Sequence, residues 1–145
     1  MKETLVVNIY GGETVKRTTL INKLHTILNE QGYNCKVSTA FYRDLIGKSD
    51  IVLVHRPILL TSAYNIDDKD TYDLCLEVYN QCKNLDFILS RDILYDCKGN
   101  IKVAEELEID NIVEKILDDN KINHYKICNY EESNMINLIK YNLGE

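Results

Sequence analysis

Thr4-Leu5-Val6-Val7-Asn8-Ile9 runs straight into Tyr10-Gly11-Gly12-Glu13-Thr14-Val15-Lys16-Arg17-Thr18-Thr19, and the change of pattern across this stretch sets the fold class. Its first six residues are a short apolar run of the kind expected for a strand buried on both faces. The two glycines then make a tight turn. From Thr18 onward Leu20, Ile21, Leu24, Ile27 and Leu28 recur at helical spacing until Gly32, a natural stop for a helix. The unit reads as strand, glycine loop and helix.

The same alternation continues along the chain. Cys35-Lys36-Val37-Ser38 reads as a second strand, Tyr42 to Ile46 as a short helical piece, and Ile51-Val52-Leu53-Val54 as a third strand bounded by Asp50 and Pro57. Tyr72, Cys75, Leu76, Tyr79 and Cys82 fall on one helical face, and Leu85 to Leu89 forms a fourth strand. Leu107, Ile109, Ile112, Val113, Ile116 and Leu117 mark a long amphipathic helix, His124 to Cys128 a fifth strand, and Met135, Ile136, Leu138, Ile139 and Leu143 a closing helix. Strands alternating with helices predict an α/β fold, with a mainly parallel five-stranded sheet covered by helices on both faces. Ligands of such sheets bind at the carboxyl ends of the strands near a topological switch point, which directs attention to the loops after strands one and three.

The 145 residues, 45% hydrophobic and 28% charged, suit one domain over residues 1–145. No run of roughly 18 apolar residues and no signal-peptide pattern is present, so a cytoplasmic protein without a membrane span is expected. Five cysteines (Cys35, Cys75, Cys82, Cys97 and Cys128) are an odd number without CxxC spacing and indicate reduced thiols. His25 and His124 have no Cys or carboxylate at metal-ligand spacing, so no metal site is expected. The net charge of -6 argues against nucleic-acid binding. Its distribution is uneven, with a balance of +3 over residues 1–60 and -9 over residues 61–145. The acidic part reads either as solvated helix faces or as a surface for a basic partner. The group Asp67, Asp68, Asp70 and Asp73 has the same two readings, since carboxylates at a helix start also stabilise the helix. Ten tyrosines are compatible with a protein-binding surface.

A phosphate-binding loop of the form GxxxxGK[ST] needs glycines to turn backbone N–H groups inward, a Lys for the outer phosphates and a hydroxyl for magnesium. Read from Gly11, the last three positions are Lys16-Arg17-Thr18, so only the hydroxyl is kept. Val15 and Lys16 crowd a loop that would otherwise use positive φ, and Glu13 places a negative charge beside the expected polyphosphate. What remains is a partial anion site at a helix N-terminus, formed by Gly11, Gly12, Lys16, Arg17, Thr18 and Thr19, or else a plain solvent-exposed loop.

At these residues the chain resembles the phage-encoded P-loop ATPases and nucleotide-kinase-like proteins of the AAA_28 type. Their opening strand reads into Tyr-Gly-Gly-Pro-Gly-(Ser/Thr)-Gly-Lys-Ser-Thr, similar to Asn8-Ile9-Tyr10-Gly11-Gly12 at its start and Thr18-Thr19 at its end. Phe41-Tyr42-Arg43-Asp44-Leu45 is similar to the family's Tyr-Ala-Lys-Asp-Leu, and Asp50-Ile51-Val52-Leu53-Val54-His55-Arg56-Pro57 to the start of its Asp-Val-Val-Ile-Thr-Asp-Ser-Pro-Leu-Leu-Leu. Leu89-Ser90-Arg91 sits where a lid arginine is found in the family. The resemblance implies a P-loop NTPase-like three-layer sandwich over nearly the whole chain.

The departures from the family pattern bear on activity. His55 replaces the Asp that would help hold hydrated magnesium, Arg56 takes the next small polar position, and Asn100 replaces a cation after Gly99. The segment between Leu45 and Ser49 is also short, lacking a helical insertion that relatives carry on the substrate side. With metal and cation positions altered together, the expectation is a pseudo-ATPase or pseudokinase with no catalytic residue. Residual phosphate or ATP binding would fall to the loop residues with His55, Arg56 and Arg91. Such a chain would serve as a protein-binding module. On the phage resemblance it would be an accessory regulator or inhibitor of a host defence system, an anti-CRISPR for example, working in the host cytoplasm. The alternative is an active nucleoside or nucleotide kinase or ATPase, with Arg17 standing in for the missing Lys.

Overall fold

The computed structural model describes residues 3–11, 17–38, 42–90, 101–128 and 131–144. Within them the strands are β1 Leu5–Tyr10, β2 Cys35–Ser38, β3 Ile51–Val54, β4 Lys83–Leu89 and β5 His124–Ile127. The helices are α1 Arg17–Glu30, α2 Ile58–Tyr64, α3 Lys69–Tyr79, α4 Ile101–Asp119 and α5 Glu132–Asn142, and a 3-10 turn spans Arg43–Leu45. The strands form one all-parallel sheet in the order β2-β3-β1-β4-β5. The α/β class and the five parallel strands are therefore as expected from the sequence.

β1 is central, with Leu5 to Asn8 paired to Ile51 to Val54 on one side and Leu5 to Tyr10 paired to Lys83 to Ile88 on the other. Every residue of β1 and β3 is buried, because parallel strands are covered on both faces and cannot alternate between core and solvent. Side-chain parity divides the core in two. Leu5, Val7, Ile9, Ile51, Leu53, Leu85, Phe87 and Leu89 meet Leu20, Ile21, Leu24 and Leu28 of α1 and Met135, Ile136 and Ile139 of α5. On the other face Tyr10 and Ile88 meet Leu59 and Ala63 of α2, Cys75 and Tyr79 of α3, and Val113, Ile116 and Leu117 of α4. Val6, Val52 and Val54 on that face pack with Tyr42 beside the 3-10 turn.

Connection handedness explains this split. A crossover between parallel strands is right-handed, so a step toward one edge of the sheet carries its helix on one face and a step toward the other edge carries it on the opposite face. The β1 to β2 step moves toward one edge and puts α1 on the first face. The β3 to β4 and β4 to β5 steps move the other way and put α2, α3 and α4 on the second.

Helix ends follow from local chemistry. After α1 the chain reverses through Gly32, at φ +93°, where the Tyr33 N–H donates to the Leu28 carbonyl at 3.1 Å and the Gly32 N–H to the Asn29 carbonyl at 3.0 Å. This six-to-one plus five-to-two pattern is a Schellman stop. Asn29 then fixes the start of β2, accepting from the Cys35 N–H at 3.2 Å and donating to the Cys35 carbonyl at 3.1 Å. At α3 the Asp68 carboxylate accepts from the Thr71 N–H at 3.2 Å and the Thr71 hydroxyl at 2.9 Å, which holds it below the usual carboxylate range. The seven-residue α2 was not anticipated, because two turns are too few for a 3.6-residue period to emerge from the apolar run around Leu59 and Leu60. Among the described residues no helix is long and apolar enough to cross a membrane.

Phe87 is fully buried in the first core and stacks at a tilt on Tyr125, ring centroids 5.8 Å apart. Phe87→Ala is expected to cost about 3–5 kcal/mol, read as a fall in the urea midpoint with an unchanged m-value.

Candidate anion site and the buried carboxylate behind it

The crevice predicted by the topology lies where β1 ends between β3 and β4. The helix that follows β1 packs on the first face and the helices that follow β3 and β4 pack on the second, so the carboxyl end of β1 lies at the point where the order of the strands changes sides. Gly11 occupies this point. It is buried, with φ at +139°, a backbone conformation that a side chain would strain.

Arg17 opens α1 and is buried, at 9% exposure. Its Nη1 donates to the Gly11 carbonyl at 2.5 Å, so the guanidinium clasps the two ends of the loop together. A charge-assisted bond in a sheltered position is among the stronger polar contacts available to a fold. Thr18 and Thr19, in the first turn of α1, are exposed. His55 follows β3 and its N–H donates to the Ser38 carbonyl at 2.9 Å, which extends the ladder between β2 and β3 by one bond. The His55 imidazole is held below its ordinary value by burial and by the positive charges of Arg17 and Arg56. Arg56 is exposed.

The fold thus brings Gly11, Arg17, His55 and Arg56 to one end of the sheet, with Thr18 and Thr19 at its rim. Gly12, Lys16 and Arg91 lie outside the described residues, as do Phe41 and the Gly99-Asn100 pair. The gathered groups are cationic or neutral, and an anion in the crevice would reverse the electrostatic penalty on a charged His55.

Directly behind Gly11 lies a polar group that reading the sequence did not single out. Asn8 and Asp86 are register partners on β1 and β4, on the second face of the sheet, and Asp86 is 1% exposed. The Tyr10 hydroxyl donates to Asp86 Oδ1 at 3.0 Å, and the Tyr79 hydroxyl of α3 donates to Oδ2 in a very short bond. Asn8 donates to Asn84 Oδ1 at 3.0 Å, and Asn84 in turn donates to the Tyr79 carbonyl at 2.7 Å and the Cys82 carbonyl at 3.0 Å. Burial pushes the Asp86 carboxyl up to about 6, against the opposing pull of the Tyr79 and Tyr10 hydroxyls, Asn8 and His124. Burial and the nearby carboxylate push both tyrosines above their usual range, and burial raises Tyr42 to about 12. The Tyr42 hydroxyl is buried near this group with no hydrogen-bond partner among the described residues. A signal was present in the sequence: Asn8 interrupts the otherwise apolar run of β1 and Asp86 stands between Leu85 and Phe87 in β4, and the register sets the two side by side.

A second cluster sits at the other end of β5. Glu114, Asp118 and His124 each direct a ligand-capable atom so that these atoms lie within 4.8 Å of one another. Linear spacing hid this cluster, because its members are joined by the reversal between α4 and β5. The four described cysteines, Cys35, Cys75, Cys82 and Cys128, are free thiols.

No protein-family model and no curated protein matches the chain.

Two outcomes are expected. The carboxyl of Asp86 binds its proton more tightly in the folded state than in the unfolded chain. Stability from this group is therefore full below about pH 4 and is lost as pH rises through about 6. The difference in unfolding free energy between wild type and Asp86→Asn should shift against wild type by about 3 kcal/mol over that window, measured by urea melts at several pH values. His55 should be neutral at pH 7, and its pKa should rise when inorganic phosphate is titrated into the millimolar range, followed by NMR of the imidazole. An unmoved His55 titration would mean that the crevice does not hold the anion.

Proposed function

We propose that this chain is a P-loop-like domain without phosphoryl-transfer chemistry, which acts by binding a basic segment of another protein. The observation that carries the first half is the engagement of Arg17. A loop cation that served phosphate transfer would present its charge to the outer phosphates, whereas this guanidinium is buried and bonded to the Gly11 carbonyl. His55 stands where a metal-side carboxylate would be needed, and an imidazole held below its ordinary value by burial and by two nearby arginines is no substitute for an oxygen ligand to magnesium. The parallel sheet with its crevice at the end of β1 supports the P-loop-like reading at the level of architecture.

The second half rests on the outer surface of α2 and α3. Tyr64 is 67% exposed and Leu74 60% exposed, with Ile66 exposed between them. Within the same stretch, residues 64–77, Asp67, Asp68, Asp70, Asp73 and Glu77 are all exposed, and Lys69 is its one cation. Apolar anchors rimmed by carboxylates complement an amphipathic basic segment, whose apolar side would cover the anchors while its cations meet the rim. Asp68 also caps α3, so it serves the helix as well as the surface. The resemblance to phage-encoded proteins extends this reading to a regulator or inhibitor acting on a host system.

The competing reading, an active kinase or ATPase, draws on the glycine conformation at Gly11 and on the cations gathered at the crevice. Calorimetric titration with ATP, GTP and deoxynucleotides, with and without magnesium, separates the two. The proposal expects no saturable magnesium-dependent binding tighter than roughly 100 μM, a free energy of about -5.5 kcal/mol. Tighter binding returns the crevice to enzyme chemistry. For the surface, a Lys- and Arg-rich amphipathic peptide should shift the amide signals of Tyr64, Ile66 and Leu74, in a salt-sensitive manner that Leu74→Ser abolishes. Arg17→Ala should lower stability by about 1.5–3 kcal/mol and leave that peptide response intact. Absence of any salt-sensitive shift, or its loss in a folded Arg17→Ala variant, would count against the docking surface.

A further inference from the structure

The last two turns of α4 and the first residue of β5 meet through a sharp reversal. Lys121 adopts φ +55°, the Ile122 N–H donates to the Leu117 carbonyl at 2.8 Å, and the Lys121 N–H donates to the Asp118 carbonyl at 3.1 Å. This is the same helix stop that Gly32 provides after α1, made here by a residue with a side chain. Its effect is to return the chain along the helix that it has just left. His124 consequently lies against Asp118 and Glu114, which are four residues apart on α4 and share one face.

We propose that Glu114, Asp118 and His124 form a binding site for a divalent first-row transition ion of the zinc class. The tautomer of His124 is the first support. Its Nδ1 lies 3.0 Å from the Ile122 carbonyl oxygen, which can only accept, so Nδ1 carries the hydrogen and Nε2 of the neutral ring keeps its lone pair. A backbone carbonyl on the far nitrogen is the arrangement that orients a metal-ligating imidazole. The free Nε2 is the atom that faces Asp118 Oδ1, at 3.7 Å. That separation is too long for a hydrogen bond and close to the roughly 3.4 Å between donor atoms that a tetrahedral ion with bonds of about 2.1 Å sets.

Charge supplies the second support. Two carboxylates beside a neutral imidazole balance a divalent cation, and Glu114 Oε2 already holds a positive group, the Lys126 ammonium at 2.7 Å. Lys126 is about half-exposed at its side chain, so its ammonium can swing into solvent when an ion takes its place. The imidazole nitrogen selects against magnesium and calcium, which prefer all-oxygen shells. His124 is sheltered while Asp118 is open to solvent, so the ion would enter from the Asp118 side and keep water in its remaining position. An ion held there would pin the edge strand β5 to α4 across the second face of the sheet.

The test is titration of the full chain with Co2+, read optically, and with Zn2+, read by calorimetry. A single site is expected for wild type, without the thiolate-to-cobalt charge-transfer band that cysteine ligation would produce. His124→Ala and the exposed-residue variant Asp118→Asn should each weaken binding at least about tenfold. Lys126→Met should tighten it severalfold, because the competing ammonium is gone. Far-UV circular dichroism of the metal-free variants confirms that they are folded, and Asp118→Asn keeps the test open if His124→Ala is not. Cobalt bound through thiolates, affinity unchanged in Asp118→Asn, or no binding of Zn2+ in the millimolar range would each overturn the site.

Discussion

A central parallel strand has both its edges occupied by hydrogen-bonded neighbours and both its faces covered, and β1 is in that position. Its side chains therefore have no route to water, and the neighbouring strands and helices are arranged to satisfy that constraint. Because connections between parallel strands keep one hand, the helix after β1 and the helices after β3 and β4 must lie on opposite faces. The divergence at the end of β1 is a consequence of this geometry, so the crevice exists whether or not any chemistry uses it. What varies is the furniture of the crevice, and here a buried arginine ties the start of α1 to the carbonyl that ends β1.

The same constraint makes the Asp86 group notable. A carboxylate placed at the middle of a doubly covered sheet loses its water and must be compensated by fixed donors. Tyr10 supplies one from the strand beside it and Tyr79 another from the helix above, so one side chain joins β1, β4 and α3. An apolar residue would fill this place with less electrostatic conflict. The polar set instead gives direction to the packing, because two hydroxyls meet two oxygens in only one relative placement of sheet and helix.

Most of the architecture could be read from the chain. The apolar run at Leu5 to Ile9, the 3.6-residue spacing of Leu20 to Leu28 and the four later strands all stand within a residue or two of their expected limits, because burial on two faces and on one face leave different periodicities. Strand order was not legible, since period reports burial and not neighbour. That is why reading the sequence passed over Asn8 and Asp86, which the register sets side by side. The cluster of Glu114, Asp118 and His124 escaped for a similar reason: a helix stop built on Lys121 carries no glycine to announce a tight reversal. Gly11 and Arg17 could be singled out because a nucleotide loop has a fixed pattern against which departures are visible, and His55 and Arg56 because the family's third-strand segment gives a similar template. The clasp made by Arg17 was not, since the sequence names a cation without saying where it points.

The two outer strands are both four residues long, and each carries a lysine, Lys36 in β2 and Lys126 in β5, that is exposed. An open sheet edge offers unpaired N–H and carbonyl groups to any passing extended chain, and a short edge bearing a desolvation-resistant ammonium is a poor template for it. The sheet is thereby protected against growing by intermolecular strand addition. At β5 this protection is linked to the Glu114 contact, because the ammonium that guards the edge is the one that bridges to α4. Whether Lys126 points toward the helix or out along the edge thus sets how readily a second chain could extend the sheet.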